Sequence, residues 1–417
     1  METTEVELRP ALQDKIRRLL QKGVSLPNPL TVDIGDEVDV ERISGDGVTI
    51  HPGCRIYGAK TVISAGAQIG REGPVTIEDC QLGPRAQLKG GYFSKSVFLQ
   101  QSNLGLGAQV REACILEEEA GGAHCVGLKQ TILFPFVTLG SLINFCDCLM
   151  AGGTSRKNHS EVGSSYVHFN FTPDGDKTTA SLVGDVPRGV MLNQPPIFLG
   201  GQGGMVGPVR IGFGNVVAAG GVLRKDVLGE GLLVVPERHA GKVAPFSPHS
   251  YPRLSRIVRN NFVYLANLAA LEQWYRHVRQ PFFAGQELGS LVFQGALEKL
   301  SMATAERCKR IEDLAGKLPV PADPGTEAPG RRELREGAGR LRELLAAGTA
   351  RQAGERERDR FLAGLQSHRA KGAGYLETIQ HLPADVVQDG TRWLDQIVDG
   401  VTGLLASQVP ALDAARD

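Results

Sequence analysis

The chain has 417 residues, with 46 Lys or Arg and 46 Asp or Glu, so its formal net charge is zero and excludes a global basic field for nucleic acid or an anionic membrane. Its 52 glycines, with an aromatic fraction of 6%, favour a fold with many tight turns over a helical bundle. Apolar runs fall well short of about 18 residues, and the seven cysteines show no C-x-x-C spacing, which favours reduced thiols in a cytoplasmic protein without a transmembrane helix.

The chain begins with a charged, amphipathic stretch that does not resemble a secretory signal. Leu12, Ile16 and the pair Leu19/Leu20 recur at helical spacing. We therefore predict a helical lead-in over residues 1–29, with these four side chains on its buried face.

From residue 30 to about 244 the sequence repeats with a period of six. Ile63, Ile69 and Val75 are six residues apart, and Leu82 and Leu88 resume the step after a one-residue slip. A period of six fits neither a helix nor an alternating strand. The same step recurs in Leu104 with Val110, in Val126 with Ile132, and in Ile211 with Val217 and Leu223.

This period predicts a coil with flat sides, in which each hexad supplies one short strand and one turn. The aliphatic side chain points inward, and the glycine that often follows it turns the corner in a left-handed backbone conformation. The fold class is therefore mainly β, a left-handed parallel β-helix; an irregular sandwich with glycine turns is the alternative. Glycines in this position are Gly70, Gly83, Gly105, Gly127, Gly140, Gly163, Gly184 and Gly212.

The pattern becomes helical after the solenoid. Leu254, Ile257, Trp274 and Val278 belong to a run at helical spacing that predicts a helical extension over 245–318. A Pro/Gly-rich linker over 319–332 and a charged helical region over 333–417 follow. Their charge runs are typical of a solvated face rather than of a nucleic-acid site.

Two polar or glycine-rich interruptions of the solenoid are candidates for chemistry, because loops on a rigid scaffold often carry function. The first, residues 154–179, holds two histidines together with amide, carboxylate and ammonium groups, although "TPDGDK" alone is an ordinary turn. The second, residues 188–208, ends in "GGQGG", and "NVVAAGGVL" follows one rung later. These small residues are either simple turns or a bare wall for a thin ligand.

Other chemical signatures are missing from the sequence. Neither G-x-x-x-x-G-K-[ST] nor H-E-x-x-H occurs, and no two histidines have the close spacing of a zinc site. We therefore predict no metal, and a solenoid metal hydratase remains only an alternative.

The segment "IFLGGQGGMVGPVRIGFGNVVAAGGVLRKDV" (197–227) resembles the closing rungs of the acetyltransferase domain in the glucosamine-1-phosphate acetyltransferase / N-acetylglucosamine-1-phosphate uridylyltransferase family. "VGSSYVHFNFTPDGDKT" resembles the family's substrate segment, and "KIRRLLQKGVSLPNP" with "GVTIHPGCRIYGAKTVI" resembles its entry into the solenoid. The resemblance covers about residues 12–240. It implies acetyl-CoA as co-substrate, a homotrimer, and the absence here of the family's nucleotidyltransferase domain.

The resemblance also assigns site residues. Asn170 and Phe171 match a pair that touches the sugar, and Lys177 matches a lysine near the sugar phosphate. Ungapped register leaves no histidine at the family's catalytic position, so His159 is the first choice of general base and His168 the second. The full implied set is His159 and Lys177 for catalysis, Asn170, Phe171, Asp174, Lys177 and Lys157 for substrate, and Gly200, Gly201, Ala218, Ala219 and Arg238 for acetyl-CoA.

The resemblance implies an acetyl-CoA-dependent acyltransferase acting on a phosphorylated or nucleotide-linked amino sugar. A small-molecule acceptor, a homotrimer and a cytoplasmic location are expected, with neither nucleic acid nor membrane as partner. One alternative is a non-catalytic relative that binds a sugar or nucleotide or serves as a scaffold. The other is an acyltransferase on a different acceptor.

Overall fold

The computed structural model describes residues 9–170, 173–174, 177–237, 241, 243–323, 327–370 and 372–414. Phe171 and Arg238, two of the predicted binding residues, lie outside these ranges. The chain forms a parallel β-solenoid of about 11 turns, with a short N-terminal helix and a C-terminal helical region, which confirms the predicted architecture. It divides into two compact units: Met1–Ile143 with Pro281–Lys299, and Asn144–Gln280 with Leu300–Asp417.

In the first unit, two- to seven-residue strands stack in parallel along the faces of the solenoid. One face is the series β2, β5, β8, β11, β14 and β16, and a second is β1, β3, β6, β9 and β12. The strands are β1 Asp33–Ile34, β2 Thr49–Ile50, β3 Arg55–Tyr57, β4 Val62–Ile63, β5 Gln68–Ile69, β6 Val75–Glu78, β7 Gln81–Leu82, β8 Gln87–Leu88, β9 Gly91–Ser94, β10 Val97–Phe98, β11 Asn103–Leu104, β12 Ala108–Val110, β13 Ile115–Leu116, β14 Gly121–Gly122, β15 Gly127–Leu133 and β16 Thr138–Leu139.

The hexad aliphatics form the core that the sequence predicts. Ile63, Ile69, Leu82 and Leu88 have no exposed surface. The lead-in helix α1 spans Pro10–Lys22. Its residues Leu12, Ile16 and Leu19 are buried as predicted, whereas Leu20 is 45% exposed and does not belong to the buried face.

The predicted role of the hexad glycines is wrong at most positions. Gly70 and Gly184 do have positive φ, but Gly83 does not; the left-handed residue after it is Arg85, with φ 57°. Close stacking explains the glycine instead, because a Cβ on Gly83 would lie 3.1 Å from the backbone of Leu99 in the next turn. At most of the other positions the left-handed residue lies two residues after the predicted glycine, and it is frequently a residue with a side chain, as at Leu142 and Ser165.

The second unit continues the same architecture. Its strands stack in parallel as β20, β23, β26 and β28 on one face, and as β17, β21, β24 and β27 on another. Strands β18 and β19 form an antiparallel hairpin within the first polar interruption. The strands are β17 Asn144–Met150, β18 Gly153–Ser155, β19 Asn158–His159, β20 Glu161–Val162, β21 Val167–Phe169, β22 Ser181–Val183, β23 Phe198–Leu199, β24 Gly204–Val206, β25 Arg210–Ile211, β26 Val216–Val217, β27 Val222–Leu223 and β28 Leu233–Val234.

The helical region of the second unit packs on its own solenoid turns. Asn267 Oδ1 accepts from the N–H of Val186 at 2.9 Å, and Asn261 Nδ2 donates to the carbonyl of Thr178 at 3.0 Å. No helix within the described ranges combines the length and apolarity needed to cross a membrane. The remaining helices are α2 Val186–Gly189, α3 Leu254–Trp274, α4 Gln280–Phe283, α5 Gly289–Lys317, α6 Pro329–Gly337, α7 Leu341–Ala346, α8 Glu355–His368, α9 Tyr375–Gln380, α10 Ala384–Ala406 and α11 Pro410–Ala414.

Candidate functional site

One corner of the second unit's solenoid is built almost without side chains. A Cβ added to Gly163 would lie 2.4 Å from the nitrogen of Gly201, and one added to Gly200 would lie 2.3 Å from the nitrogen of Ala219. Successive turns therefore approach so closely that only glycine fits at these two positions. Ala218 is half-buried and Ala219 is exposed. We call these five residues the bare corner.

The amide groups of the bare corner differ in their hydrogen bonding. Gly200 N–H donates to the carbonyl of Val217 at 2.9 Å, and Ala218 N–H donates to the carbonyl of Val234 at 2.8 Å. Within the part of the chain that the structure describes, no acceptor bonds the N–H of Gly201. The Ala219 N–H likewise has no acceptor among the described residues.

An apolar column lies on the outer face beside this corner. Phe198, Val216 and Leu233 are register partners on β23, β26 and β28. Their exposed fractions are 37%, 42% and 72%. We call these three residues the apolar column. Contiguous exposed apolar surface of this kind marks binding or assembly surfaces.

His159 ends the β18–β19 hairpin, two residues before the start of β20. Its Nδ1 lies 2.9 Å from the carbonyl oxygen of Arg156, so Nδ1 carries the proton and donates it. The other ring nitrogen, Nε2, lies 3.9 Å from Oε2 of Glu161. A backbone carbonyl thus fixes a tautomer in which Nε2 presents a lone pair, the arrangement that a general base needs.

Two further contacts hold the hairpin. Asn158 Nδ2 donates to Thr154 Oγ1 at 2.9 Å, and Gln380 Nε2 from helix α9 donates to the Thr154 carbonyl at 2.6 Å. Lys157, a predicted substrate residue, is exposed at the hairpin tip. His159 and Gly163 are four residues apart, so their Cα atoms lie no more than about 14 Å from each other.

His168, the second choice of base, is a buried structural residue. It is 7% exposed; Nδ1 donates to the carbonyl of Cys146, and Nε2 lies 2.9 Å from the hydroxyl of Ser181. Burial lowers the pKa of His168 from 6.5 to about 4, with Arg307 adding a smaller repulsion. Both nitrogens are occupied, so this ring has no free position for a substrate proton.

The predicted substrate loop lies between β21 and β22. Asn170 and Lys177 are exposed at its two ends, and Asn170 Oδ1 accepts from the Thr179 hydroxyl at 3.3 Å. Asp174 is drawn away from solvent: its carboxylate accepts from His249 N–H at 3.0 Å, and its side chain is 12% exposed.

Helix α5 fixes the backbone of this loop. Lys317 Nζ donates to the carbonyl of Asp174 at 2.8 Å. Arg307 Nη1 donates to the carbonyl of Lys177 at 2.9 Å, and Arg307 Nη2 pairs with Asp147 Oδ1 at 2.6 Å. These contacts of Lys317 and Arg307 were not predicted from the sequence, because a single cationic residue on an amphipathic helix gives no periodic signal for a distant partner.

The structure therefore brings the predicted residues together in three groups. The bare corner holds Gly200, Gly201, Ala218 and Ala219, the hairpin holds Lys157 and His159, and the loop holds Asn170, Asp174 and Lys177. Within the described ranges, no group of three His, Cys, Asp or Glu side chains is placed to hold a metal ion.

Comparison with known proteins gives a consistent result. The chain is 28% identical over 230 residues to bifunctional protein GlmU of Thermotoga sp. (strain RQ2), covering 54% of this chain and 46% of that protein. It is 30% identical over 226 residues to bifunctional protein GlmU of Clavibacter sepedonicus, covering 54% of this chain and 41% of that protein.

The chain thus spans less than half the length of these curated relatives. It matches no protein-family profile. The similarity confirms, over about half of this chain, the resemblance to the glucosamine-1-phosphate acetyltransferase / N-acetylglucosamine-1-phosphate uridylyltransferase family that its solenoid motifs indicate.

Proposed function

We propose that this chain is an acetyl-CoA-dependent acyltransferase acting on a phosphorylated or nucleotide-linked amino sugar, in the cytoplasm and as a homotrimer. The observation that carries the proposal is the bare corner, on the same rung as a histidine whose tautomer is fixed. A strip without side chains lets a thin pantetheine arm lie against the backbone. The similarity to proteins named bifunctional protein GlmU supports the same reading.

The chemical step uses groups already described. The sugar amine attacks the thioester carbonyl carbon, forming the N–C bond while the C–S bond breaks. His159 Nε2 takes the proton from the attacking nitrogen and returns it to the departing sulfur, which leaves as the thiol. The Gly201 N–H donates to the carbonyl oxygen as negative charge develops on it, a contribution typically worth a few kcal/mol.

The acceptor is held by the loop and the hairpin. Lys177, with Lys157, supplies positive charge for a sugar phosphate. Asn170 offers an amide for the sugar hydroxyls. Asp174 is assigned a supporting role, because its carboxylate is engaged by His249 and its carbonyl by Lys317.

The homotrimer rests on the apolar column. On the corresponding face of the first unit, the outward residues are polar, as in Gln68 and Gln87. The change from polar to apolar side chains along one type of face favours contact with another copy of this chain near the bare corner.

The test is thiol release from acetyl-CoA in the presence of glucosamine 1-phosphate. We expect His159→Ala to lower kcat about 100-fold or more. His124→Ala is the matched control, because His124 is an exposed solenoid histidine that also bonds through Nδ1, to Ser141 Oγ at 3.0 Å.

Two outcomes contradict the proposal. Absence of acceptor-dependent thiol release would favour a non-catalytic binding relative. The hydrogen bonds that polar groups of the loop already make within the chain would then support that alternative. Release that His159→Ala and His124→Ala reduce equally would remove His159 from the mechanism while leaving the acyltransferase intact.

A further inference from the structure

A small cavity in the second unit is lined by three arginines. Its volume is about 150 Å³, and its walls include Arg224, Arg253 and Arg256 beside the apolar residues Pro252 and Ile257. We call it the arginine pocket. It lies between the last solenoid turns and the first turn of α3, and it belongs neither to the bare corner nor to the substrate loop.

Two of the three arginines have no ionic partner among the described residues. Arg224 and Arg253 form no ion pair or hydrogen bond through their side chains to any residue that the structure describes. Arg256 Nη1 donates to the carbonyl of Pro208 at 2.8 Å and lies 3.5 Å from Asp226 Oδ1.

Asp226, the carboxylate that Arg256 contacts, already accepts other hydrogen bonds. Asp226 Oδ1 accepts from the Arg210 backbone N–H at 3.0 Å and from Asn260 Nδ2 at 3.0 Å. The other carboxylate oxygen, Asp226 Oδ2, lies 3.2 Å from Asn260 Nδ2. Its charge is therefore shared among several donors. Among the described residues, Arg224 and Arg253 therefore add positive charge to the pocket with no carboxylate partner.

The start of α3 adds to this preference for anions. The helix runs for 21 residues, and its N-cap residue Arg253 provides no side-chain acceptor for the first-turn N–H groups. The positive end of a helix dipole with unsatisfied N–H groups favours an anion. Arg253 and Arg256 belong to this first turn, so helix and guanidinium groups act on the same space.

The chemistry and the size together select the ligand. Guanidinium forks match the oxygens of a phosphate group, and several cations favour a dianion over a single carboxylate. A volume of 150 Å³ is below the range of about 300–1,000 Å³ that holds a whole drug-sized molecule. We propose that the arginine pocket binds a phosphomonoester group, with the remainder of the ligand outside the cavity.

The pocket is linked to the bare corner by two strands. Strand β24 joins Gly203, two residues after Gly201 of the bare corner, to Gly207 at the pocket, and the Cα atoms of Gly203 and Gly207 lie no more than about 14 Å apart. Strand β27, Val222–Leu223, is similarly followed directly by Arg224. The phosphate therefore comes from one of two sources: a separate small phosphorylated molecule, or the 3′-phosphate of coenzyme A bound at the corner. The second source rests on the proposed function, whereas the first does not.

The first experiment uses inorganic phosphate as the probe. Phosphate binding to the full chain is followed by ³¹P NMR line broadening in chloride buffer at low ionic strength. We expect Arg224→Gln combined with Arg253→Gln to weaken phosphate binding roughly 10- to 100-fold. Arg276→Gln is the matched control, because that exposed arginine is paired within its helix to Glu272 at 2.8 Å.

Folding of each variant is checked by its thermal transition. Arg224 and Arg253, the two arginines that are replaced, are exposed, so their replacement should leave the core intact. No broadening with the wild-type chain overturns the proposal, and so does equal broadening with the double variant. Because this readout needs no acetyl transfer, the pocket and the acyltransferase activity fail independently.

The second experiment identifies the source. If the phosphate belongs to coenzyme A, wild type binds coenzyme A more tightly than 3′-dephospho-coenzyme A, and the double variant loses this difference. If the phosphate belongs to a separate molecule, the two coenzymes bind equally and glucosamine 1-phosphate displaces inorganic phosphate. Binding that a monocarboxylate displaces as effectively as phosphate does would overturn the assignment to a phosphomonoester.

Discussion

Arg307 and Asp147 form a buried ion pair, 2.6 Å from Nη2 to Oδ1, with side-chain exposures of 2% and 9%. The same guanidinium donates to the carbonyl of Lys177 at 2.9 Å. One side chain of α5 therefore joins a solenoid corner to the end of the proposed substrate loop. This makes the helical region a structural part of the candidate site rather than a separate appendage.

Replacing Arg307 should lower the free energy of unfolding. Arg307→Met leaves the Asp147 carboxylate buried without its partner, and we expect the free energy of unfolding to fall by about 3 kcal/mol. Urea unfolding measures this loss. Arg276→Met, which removes an exposed arginine, should cost less than about 1 kcal/mol.

A second variant separates charge from packing. Adding Asp147→Asn to Arg307→Met removes the stranded charge and should restore part of the stability. If the double variant is no more stable than Arg307→Met, the ion pair is not the source of the loss.

The pH dependence of the free energy of unfolding should reflect the protonation of His168. Burial keeps this ring neutral in the folded chain, with a pKa of about 4, whereas the ordinary histidine pKa is 6.5. A protonated ring is therefore favoured in the unfolded chain between these values. The free energy of unfolding should fall as the pH drops from about 6.5 to about 4, by about 3 kcal/mol from this group.

Comparison with a variant that does not titrate isolates this contribution. His168→Gln should lose less stability than wild type between pH 7 and pH 4.5, although it starts from a lower value. Equal losses in urea unfolding would show that another group governs the acid sensitivity.

The contribution of Asp395 to stability should depend on pH in the opposite direction to that of His168. It lines a cavity of about 270 Å³ with Asp185, Asp399 and Arg188. Burial, with repulsion from the two other carboxylates, raises the pKa of Asp395 from 3.8 to about 6 against the opposing effect of Arg188. Its contribution to stability is present at low pH and is lost as the pH rises from about 4 to about 6.

Asp395→Asn should therefore raise the free energy of unfolding at pH 7, by about 1 kcal/mol after allowance for partial solvent screening. The gain should shrink as the pH approaches 4. Asp389→Asn on the same helix is the control, because Asp389 pairs with Arg360 at 2.8 Å and should gain nothing. A gain at pH 7 that persists unchanged at pH 4 would contradict the assignment.

The sequence predicted the solenoid because its signal is local and periodic. Each inward aliphatic, such as Ile69 or Leu88, repeats at a step of six and is buried without exception in that series. The contact between Arg307 and Lys177 has no such signal, since 130 residues separate them. Leu20 shows a subtler limit: helical spacing places it beside the buried face, and only tertiary packing decides that it stays exposed.

The apolar column predicts self-association. Phe198→Glu combined with Leu233→Glu should convert the proposed trimer into monomers, because two buried carboxylates at such an interface carry a large desolvation penalty. Sedimentation analysis measures the change. Gln68→Glu combined with Gln87→Glu, on the polar face of the first unit, should leave the oligomer intact; a wild-type monomer would contradict the prediction.

Filling the bare corner should block acetyl-CoA without disturbing the fold. Ala219 is exposed, and the equivalent corner position of an earlier turn is occupied by Leu106, which is 46% exposed, so the solenoid accepts a large side chain there. Ala219→Phe would place a ring over the strip where the pantetheine arm is proposed to lie. We expect the KM for acetyl-CoA to rise roughly 10-fold or more, in line with about 1.4 kcal/mol or more of lost binding, while the thermal transition stays unchanged.

The control is His124→Phe, since His124 holds the same corner position in the first unit, and it should leave the KM unaltered. Unchanged affinity for acetyl-CoA in Ala219→Phe, measured by titration calorimetry, would place the coenzyme elsewhere on the solenoid.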